Sequence, residues 1–380
     1  MRVERRLIRN LDFTVLITVF ILVLYGLAMV YSATHANPNL PNGDQFYALK
    51  KQLMGVLLGL AGLAVIVLID YHASERLHLF IYIGTLLLLG SVLLLGKEVN
   101  GARSWLSFGP FNLQPSEFAK VAVIVTLAGH LSRKESLSGI WDLFSPLLHV
   151  AVPMLLILVQ PDLGTVLVFI FITFSMLYMA GARGWHLALV FGLPLLLLAF
   201  AIAANLRFGF PPLPLKQYQI DRLTSCFNPS KDPRGTGYNL NQAMIAIGSG
   251  RFVGKGYLHS TQGRLGYVPE HQTDFIFAIV GEEMGFIGGF VLLALFFTLI
   301  WRGLRITFQA KDKYGCLIAT GVLAMFLFHV LENIGMNLGI MPITGIPLPF
   351  ISLGSSSMTA SLWAVGLLEN VWVRRQKIMF

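Results

Sequence analysis

The chain has 380 residues, 55% hydrophobic and only 12% charged, with a formal net charge of +9. A water-soluble domain carries roughly a quarter charged residues, so this composition excludes one. The positive balance fits membrane topology and acidic lipid heads and gives no case for nucleic acid.

In chain order, MRVERRLIRN is basic like the start of a signal peptide. The apolar stretch that follows, Phe13 to Tyr31, is too long for one and lacks a small-residue cleavage pattern, so it reads as a retained first span. Apolar runs then recur to the end. They predict ten helices, over 13–33, 52–69, 77–96, 115–132, 145–160, 163–181, 185–204, 274–301, 315–336 and 350–373. The expected fold is therefore an all-α polytopic membrane protein, one domain over 1–380, with one long loop at 205–273. Short loops on one side hold Arg2, Arg5, Arg6, Arg9, Arg76, Arg133, Lys134, Arg183, Arg302, Arg305, Lys311, Lys313, Arg374, Arg375 and Lys377. The other side's short loops hold Lys50, Lys51, Lys97 and Arg103, so the first side, with both termini, is predicted to be cytoplasmic. Cys226 and Cys316 fall on opposite sides and imply no disulfide framework.

Polar residues near the outward ends of these helices are candidates for chemistry. NGARSWLSFG supplies Arg103 and Trp105 at the outer surface, where a tryptophan also serves as an interfacial anchor. QPSEFAK sets Glu117 and Lys120 three apart on one helix face, either paired with each other or poised for a pyrophosphate. QPDLGT puts Gln160 and Asp162 in a tight turn, where Asp162 can cap the next helix.

The 205–273 loop carries Arg207, Lys216, Arg222, Lys231, Arg234, Arg251, Lys255 and Arg264, against the trend of the short loops. Two readings stand: attraction to anionic lipid heads, or a cationic surface for a phosphate-bearing substrate. FPPLPLK is stiff, YNLNQAMIAIGSG reads as a short amphipathic helix, and GSGRFVGKG as a glycine-bracketed basic turn able to offer N–H groups to phosphate.

The segment YVPEHQTDFIFAIVGEEMGFIGG follows. It places Asp274 at the mouth of an apolar run, beside Glu270, His271, Gln272 and Thr273, with Glu282 and Glu283 inside the run. A charged side chain at the bilayer centre costs roughly 2.5–3.5 kcal/mol or more, so such carboxylates usually face protein or a wet cavity. Gly281, Gly285 and Gly289 suggest a helix-packing ridge. At 100° per residue, Asp274 lies within about 20° of Gly281 and Gly285, Glu282 about 80° away and Glu283 opposite. Asp274 therefore reads as a helix cap or a general base, with Glu282 the glutamate expected to share its surroundings. Glu282 and Glu283 read first as buried ionic links to another span. The uncharged stretch GIMPITGIPLPFISLGSSS reads as broken-helix backbone lining a cavity. No metal-ligand spacing is present.

Taken together, GARSW (101–105), QPSEFAK (114–120), QPDLGT (160–165), GTGYNLNQAMIAIGSG (235–250), GKGYLHSTQ (254–262), PEHQTDFIFAIVGEE (269–283) and GIPLPFISLGSSS (345–357) resemble the SEDS family of shape, elongation, division and sporulation proteins, its RodA branch more than its FtsW branch. The chain departs from the family pattern at Leu353-Gly354-Ser355 and at Arg103-Ser104-Trp105. The resemblance implies a peptidoglycan glycosyltransferase of the bacterial cytoplasmic membrane, polymerising lipid II at its outer face during elongation. It also implies a class B penicillin-binding protein as partner. Asp274 matches the family's essential aspartate. Arg103, Trp105, Glu117, Lys120, Asp162, Arg222, Lys255, Gln262, His271 and Thr273 are the expected substrate contacts. No cofactor is expected with certainty; a divalent cation, Mg or Mn, could screen the pyrophosphate. The alternatives are a lipid II flippase or a non-catalytic scaffold.

Overall fold

The computed structural model describes residues 9–35, 44–99, 102–108, 111–208 and 235–375. Arg222, the FPPLPLK stretch and Cys226 lie outside the described residues. The helices are α1 (Phe13–Thr34), α2 (Tyr47–Leu68), α3 (Tyr71–Arg76), α4 (His78–Leu95), α5 (Pro115–Ser132), α6 (Phe144–Val159), α7 (Leu163–Met179), α8 (Gly184–Leu187), α9 (Leu193–Phe208), α10 (Thr236–Ser249), α11 (Thr261–Arg264), α12 (Ile276–Phe308), α13 (Lys313–Asn337) and α14 (Ser355–Val373). Every predicted span coincides with a helix, the seventh being α8 and α9 joined by a wide π-type turn at Ala188–Gly192. Seven helical segments among the described residues are long and apolar enough to cross a bilayer. The chain is a predominantly helical, multi-pass membrane protein.

Two helix starts and one connecting segment differ from expectation, the first two for local reasons. α2 begins five residues early because Asp44 accepts from Phe46 N at 3.0 Å and pairs with Lys50 at 2.7 Å, extending the first turn. α14 begins late because Gln52 of α2 holds the preceding chain extended, donating to Ser352 O at 3.0 Å and accepting from Gly354 N at 2.9 Å. Residues 97–113, expected as a surface loop, contain an antiparallel sheet of β1 (Lys97–Val99), β2 (Ala102–Phe108) and β3 (Phe111–Leu113), in order β1-β2-β3. The register sets Lys97 opposite Trp105 and Leu106 opposite Leu113. Asn100-Gly101 and Gly109-Pro110 are turn dipeptides, a signal the helical reading passed over.

The glycine ridge that packs two helices together is on α2. Cβ atoms placed at Gly55, Gly59 and Gly62 would lie 2.8 Å from Ser355 Cα, 2.4 Å from Leu362 Cδ1 and 1.8 Å from Trp363 Nε1, so only glycine lets α2 and α14 approach this closely.

The expected ridge at Gly281, Gly285 and Gly289 does not form, because α12 is broken. Gly285 has φ 62° and ψ −160°, a backbone region essentially reserved for glycine. The Phe277 ring lies 3.7 Å from a Cβ placed at Gly289, whereas twelve residues of straight helix would separate them by about 18 Å. Residues 276–284 thus form a half-helix folded back against 286–308, and the single helical wheel used to orient Asp274, Glu282 and Glu283 does not apply. A break in an apolar helix leaves backbone groups that need partners. The 251–256 turn supplies them: Phe286 N donates to Arg251 O (2.9 Å), Ile287 N to Phe252 O (3.1 Å), Lys255 N to Glu282 O (3.0 Å) and Gly256 N to Glu283 O (3.0 Å). Gly285→Ala would bring its Cβ to 2.4 Å from Gly254 N as well as force the disallowed φ. It is expected to cost at least about 1–3 kcal/mol, seen as a lowered thermal midpoint. Gly289→Ala, with ordinary van der Waals contacts, should melt like the parent.

One end of the bundle gathers the cations predicted to be cytoplasmic. Arg302 Nε donates to Asp12 Oδ2 at 3.0 Å, Lys313 Nζ to Lys134 O at 2.7 Å, and Arg374 to Val67 O at 3.1 Å. Arg375 stacks 3.5 Å over the Trp372 ring.

Candidate active site

At the opposite end of α12 and α13, residues 272–274 are pinned by their carbonyls. Leu353 N donates to Gln272 O at 2.9 Å, Ser352 Oγ to Thr273 O at 2.7 Å, and Asn333 and Asn337 Nδ2 to Asp274 O at 2.9 and 3.1 Å. The same Asn333 amide donates to Ile346 O at 2.8 Å. The Asp274 backbone is thereby locked against the 345–353 stretch, and the side chain stays partly exposed. Its Oδ2 lies 3.2 Å from a Cβ placed at Gly345, which has φ 77°. A glycine there clears room for the carboxylate. The helix cap itself falls on Phe275, which offers no side-chain acceptor.

The motifs QPSEFAK and QPDLGT close around this same turn. Lys120 Nζ donates to Glu117 Oε1 at 2.9 Å and to His329 Nε2 at 3.0 Å, and the other His329 nitrogen lies 3.2 Å from Pro347 O. Lys120 and Glu117 are 2% and 4% exposed, so the mutual-pair reading holds for their resting state. Asp162 caps α7, accepting from Thr165 N at 3.0 Å and Thr165 Oγ1 at 2.7 Å, with Ser116 Oγ at 3.5 Å. A Cβ on Gly164 would meet Thr344 O at 2.9 Å. Glu332 accepts from Thr344 Oγ1 at 2.8 Å.

His329, Glu332, Asn333 and Asn337 were not singled out from the sequence. Their spacing of three, four and eight along α13 is a polar stripe on one face of an otherwise apolar helix, and that pattern was the available signal.

Other expected residues sit elsewhere. Glu282 does not share the surroundings of Asp274. It is fully buried, accepts from Lys255 Nζ at 2.5 Å, Ser260 Oγ at 2.6 Å, Thr261 Oγ1 at 2.7 Å and Gln262 N at 3.2 Å, and so links to the loop rather than to another span. Lys255, expected at a phosphate, is this carboxylate's counter-charge, and the N–H groups of Lys255 and Gly256 already donate within the chain. Glu283 accepts from Ser32 Oγ of α1 at 2.6 Å and Ser260 N at 3.1 Å. Burial, then the Glu283 carboxylate, push the nearby Tyr257 phenol up from its ordinary value. Both ring nitrogens of His271 lie 2.9 Å from carbonyls, of Val268 and Ala33, which makes it a tether between the loop and α1. Thr273 Oγ1 donates to Glu270 O at 3.2 Å. Gln262 has a buried Oε1 without a partner among the described residues. Trp105 sits in β2, half-buried, and Arg103 pairs in register with Glu98. Gly281 packs on Ile247 of α10, and Gly285 on the 252–254 turn. Among the described residues no group of three His, Cys, Asp or Glu comes together to hold a metal ion.

Comparison with known proteins places the chain in a family. The family model FTSW_RODA_SPOVE, described as "Cell cycle protein", matches residues 13–377. The chain is 40% identical over 364 residues to Stage V sporulation protein E of Bacillus subtilis, covering 95% of this chain and 96% of that protein. It is 33% identical over 433 aligned residues to the peptidoglycan glycosyltransferase RodA of Treponema pallidum, covering 97% and 99%. A solved structure described as "Structural coordination of polymerization and crosslinking by a peptidoglycan synthase complex" superposes with a TM-score of 0.79 at 30% identity, covering 96% of this chain and 98% of the other.

Proposed function

Because the chain belongs to the FtsW/RodA/SpoVE family, we propose that it is a peptidoglycan glycosyltransferase that polymerises lipid II at the outer face of the bacterial cytoplasmic membrane, with Asp274 as its general base. The observation that carries the reading is the backbone-locked Asp274 carboxylate over Gly345, at the point where the sequence motifs of α5, α7 and α13 converge. The apolar runs favour ten spans, and the Lys and Arg distribution favours both termini in the cytoplasm, which puts Asp274 outside. The motifs GYLHSTQ at 256–262 and GIPLPF at 345–350 favour a role in elongation and cell shape.

In the reaction, the 4-hydroxyl of an incoming GlcNAc attacks the anomeric carbon of the growing chain's MurNAc with inversion. A new C–O bond forms, the bond to the undecaprenyl pyrophosphate breaks with its electron pair on the leaving oxygen, and Asp274 takes the hydroxyl proton. Arg103, with Arg222 from the segment outside the described residues, supplies positive charge to the pyrophosphate. Lys120 works at one remove, holding the floor under Asp274 through His329 and Pro347. A class B penicillin-binding protein crosslinks the product. The structural relative from a complex that couples polymerization to crosslinking supports such a partner.

Reconstituting the purified protein with labelled lipid II, alone and with that partner, tests the reading. Glycan chains are expected. Exchange of lipid II between leaflets without chains would point to a flippase. Neither product, with or without the partner, would leave a scaffold.

A further inference from the structure

α10 has two faces. Leu240, Ala243 and Ala246 are fully buried and pack with Phe275, Ala278, Met336 and Ile343, so this helix lies directly on the half-helix that begins just after Asp274. The other face turns Tyr238, Asn241, Gln242 and Ile245 outward, at positions i, i+3, i+4 and i+7. With Met244 these residues line an open cavity of about 510 Å³. Among the described residues, no protein group hydrogen-bonds the Tyr238 hydroxyl or the two amide side chains. The helix carries no charged residue.

We propose that this face of α10 is a saccharide-binding subsite that holds the sugar backbone next to the polymerisation site. Two amides and a phenol offer donors and acceptors together, which suits vicinal hydroxyls and an N-acetyl group. The Tyr238 ring, Met244 and Ile245 supply an apolar surface for the C–H face of a pyranose. The volume lies in the range of small-ligand sites with apolar walls and a few placed polar groups. The described residues of this face carry no charge that would select a phosphate or a nucleotide. It also lies about one helix diameter, roughly 10 Å, from the Asp274 turn, so a strand leaving Asp274 reaches it within a few sugar units. The subsite rests on the glycosyltransferase reading above, and it deepens that reading by assigning a second sugar contact.

The test uses the full-length protein in nanodiscs and two readouts. The first is calorimetric binding of a soluble GlcNAc–MurNAc oligosaccharide without stem peptides. Tyr238→Ala, and the double variant Asn241→Ala with Gln242→Ala, should each weaken it about tenfold, the scale of one or two lost hydrogen bonds. The second is polymerisation of lipid II. Shorter chains at an unchanged initial rate would place the growing strand on α10. A raised KM for lipid II at unchanged chain length would place the substrate headgroup there. Either supports a saccharide site. Unchanged binding, chain length and KM in both variants would overturn it, as would variants that lose only the protein partner. Oligosaccharide binding by a protein that makes no chains would leave the subsite standing and sink the polymerase reading, so the two fail separately.

Discussion

Asp274→Asn is expected to lower lipid II polymerisation by about 10²–10⁴-fold, the usual contribution of a general base, with the thermal midpoint unchanged. Asparagine has nearly the same shape. The contacts that Asn333 and Asn337 make to its backbone carbonyl survive the exchange. The exchange removes the carboxylate's charge and its capacity to take a proton. The measurement is chain formation from lipid II by the purified, folded variant, beside its affinity for lipid II, which should stay within a few-fold of the parent. Chains at the parental rate would move the base to another residue. Gly345→Ala is the companion variant. Its methyl would sit 3.2 Å from Oδ2 at a residue with φ 77°, so it should displace the carboxylate and lose activity while Asp274 remains.

Lys120→Met should give the largest loss of stability. It leaves Glu117 as an unpaired carboxylate at 4% exposure, and breaking a buried pair from one side costs about 3–5 kcal/mol. Replacing both Glu117 and Lys120 by methionine removes the stranded charge and should recover most of the thermal midpoint, since buried pairs are often no more stable than apolar substitutes. Polymerisation should not recover. The double variant still lacks the ammonium that donates to His329 Nε2 at 3.0 Å and so favours the tautomer whose Nδ1–H faces Pro347 O beneath the Gly345 turn. Full activity in the refolded double variant would reduce the pair to a folding device.

Much of the site was legible because a membrane makes polar residues conspicuous. A carboxylate among apolar residues is costly wherever it lies, so Asp274, Glu117 and Asp162 stood out without coordinates. The same logic flagged Glu282 and Lys255 but misjudged their relation. Charge type says that a cation and an anion each want a partner; it does not say which, because the loop that brings Lys255 to 2.5 Å from Glu282 is closed by chain path and not by local pattern. His329, Glu332, Asn333 and Asn337 passed unnoticed because three of the four can be neutral and the stripe they form is short.

By itself, the amino-acid order determined the positions of the membrane helices, because burying apolar side chains in lipid requires about 20 of them in a row. It also determined the family, through motifs scattered over the whole chain. Tertiary structure alone decided that α12 breaks at Gly285 and folds back. A positive φ is available to every glycine, and only the 251–256 backbone, arriving from the preceding loop, makes the break favourable here by pairing the groups it exposes. Tertiary structure likewise decided that Asp274 faces Gly345, seventy-one residues further on, since a contact over that distance follows from how helices pack and not from what lies beside either residue in the chain.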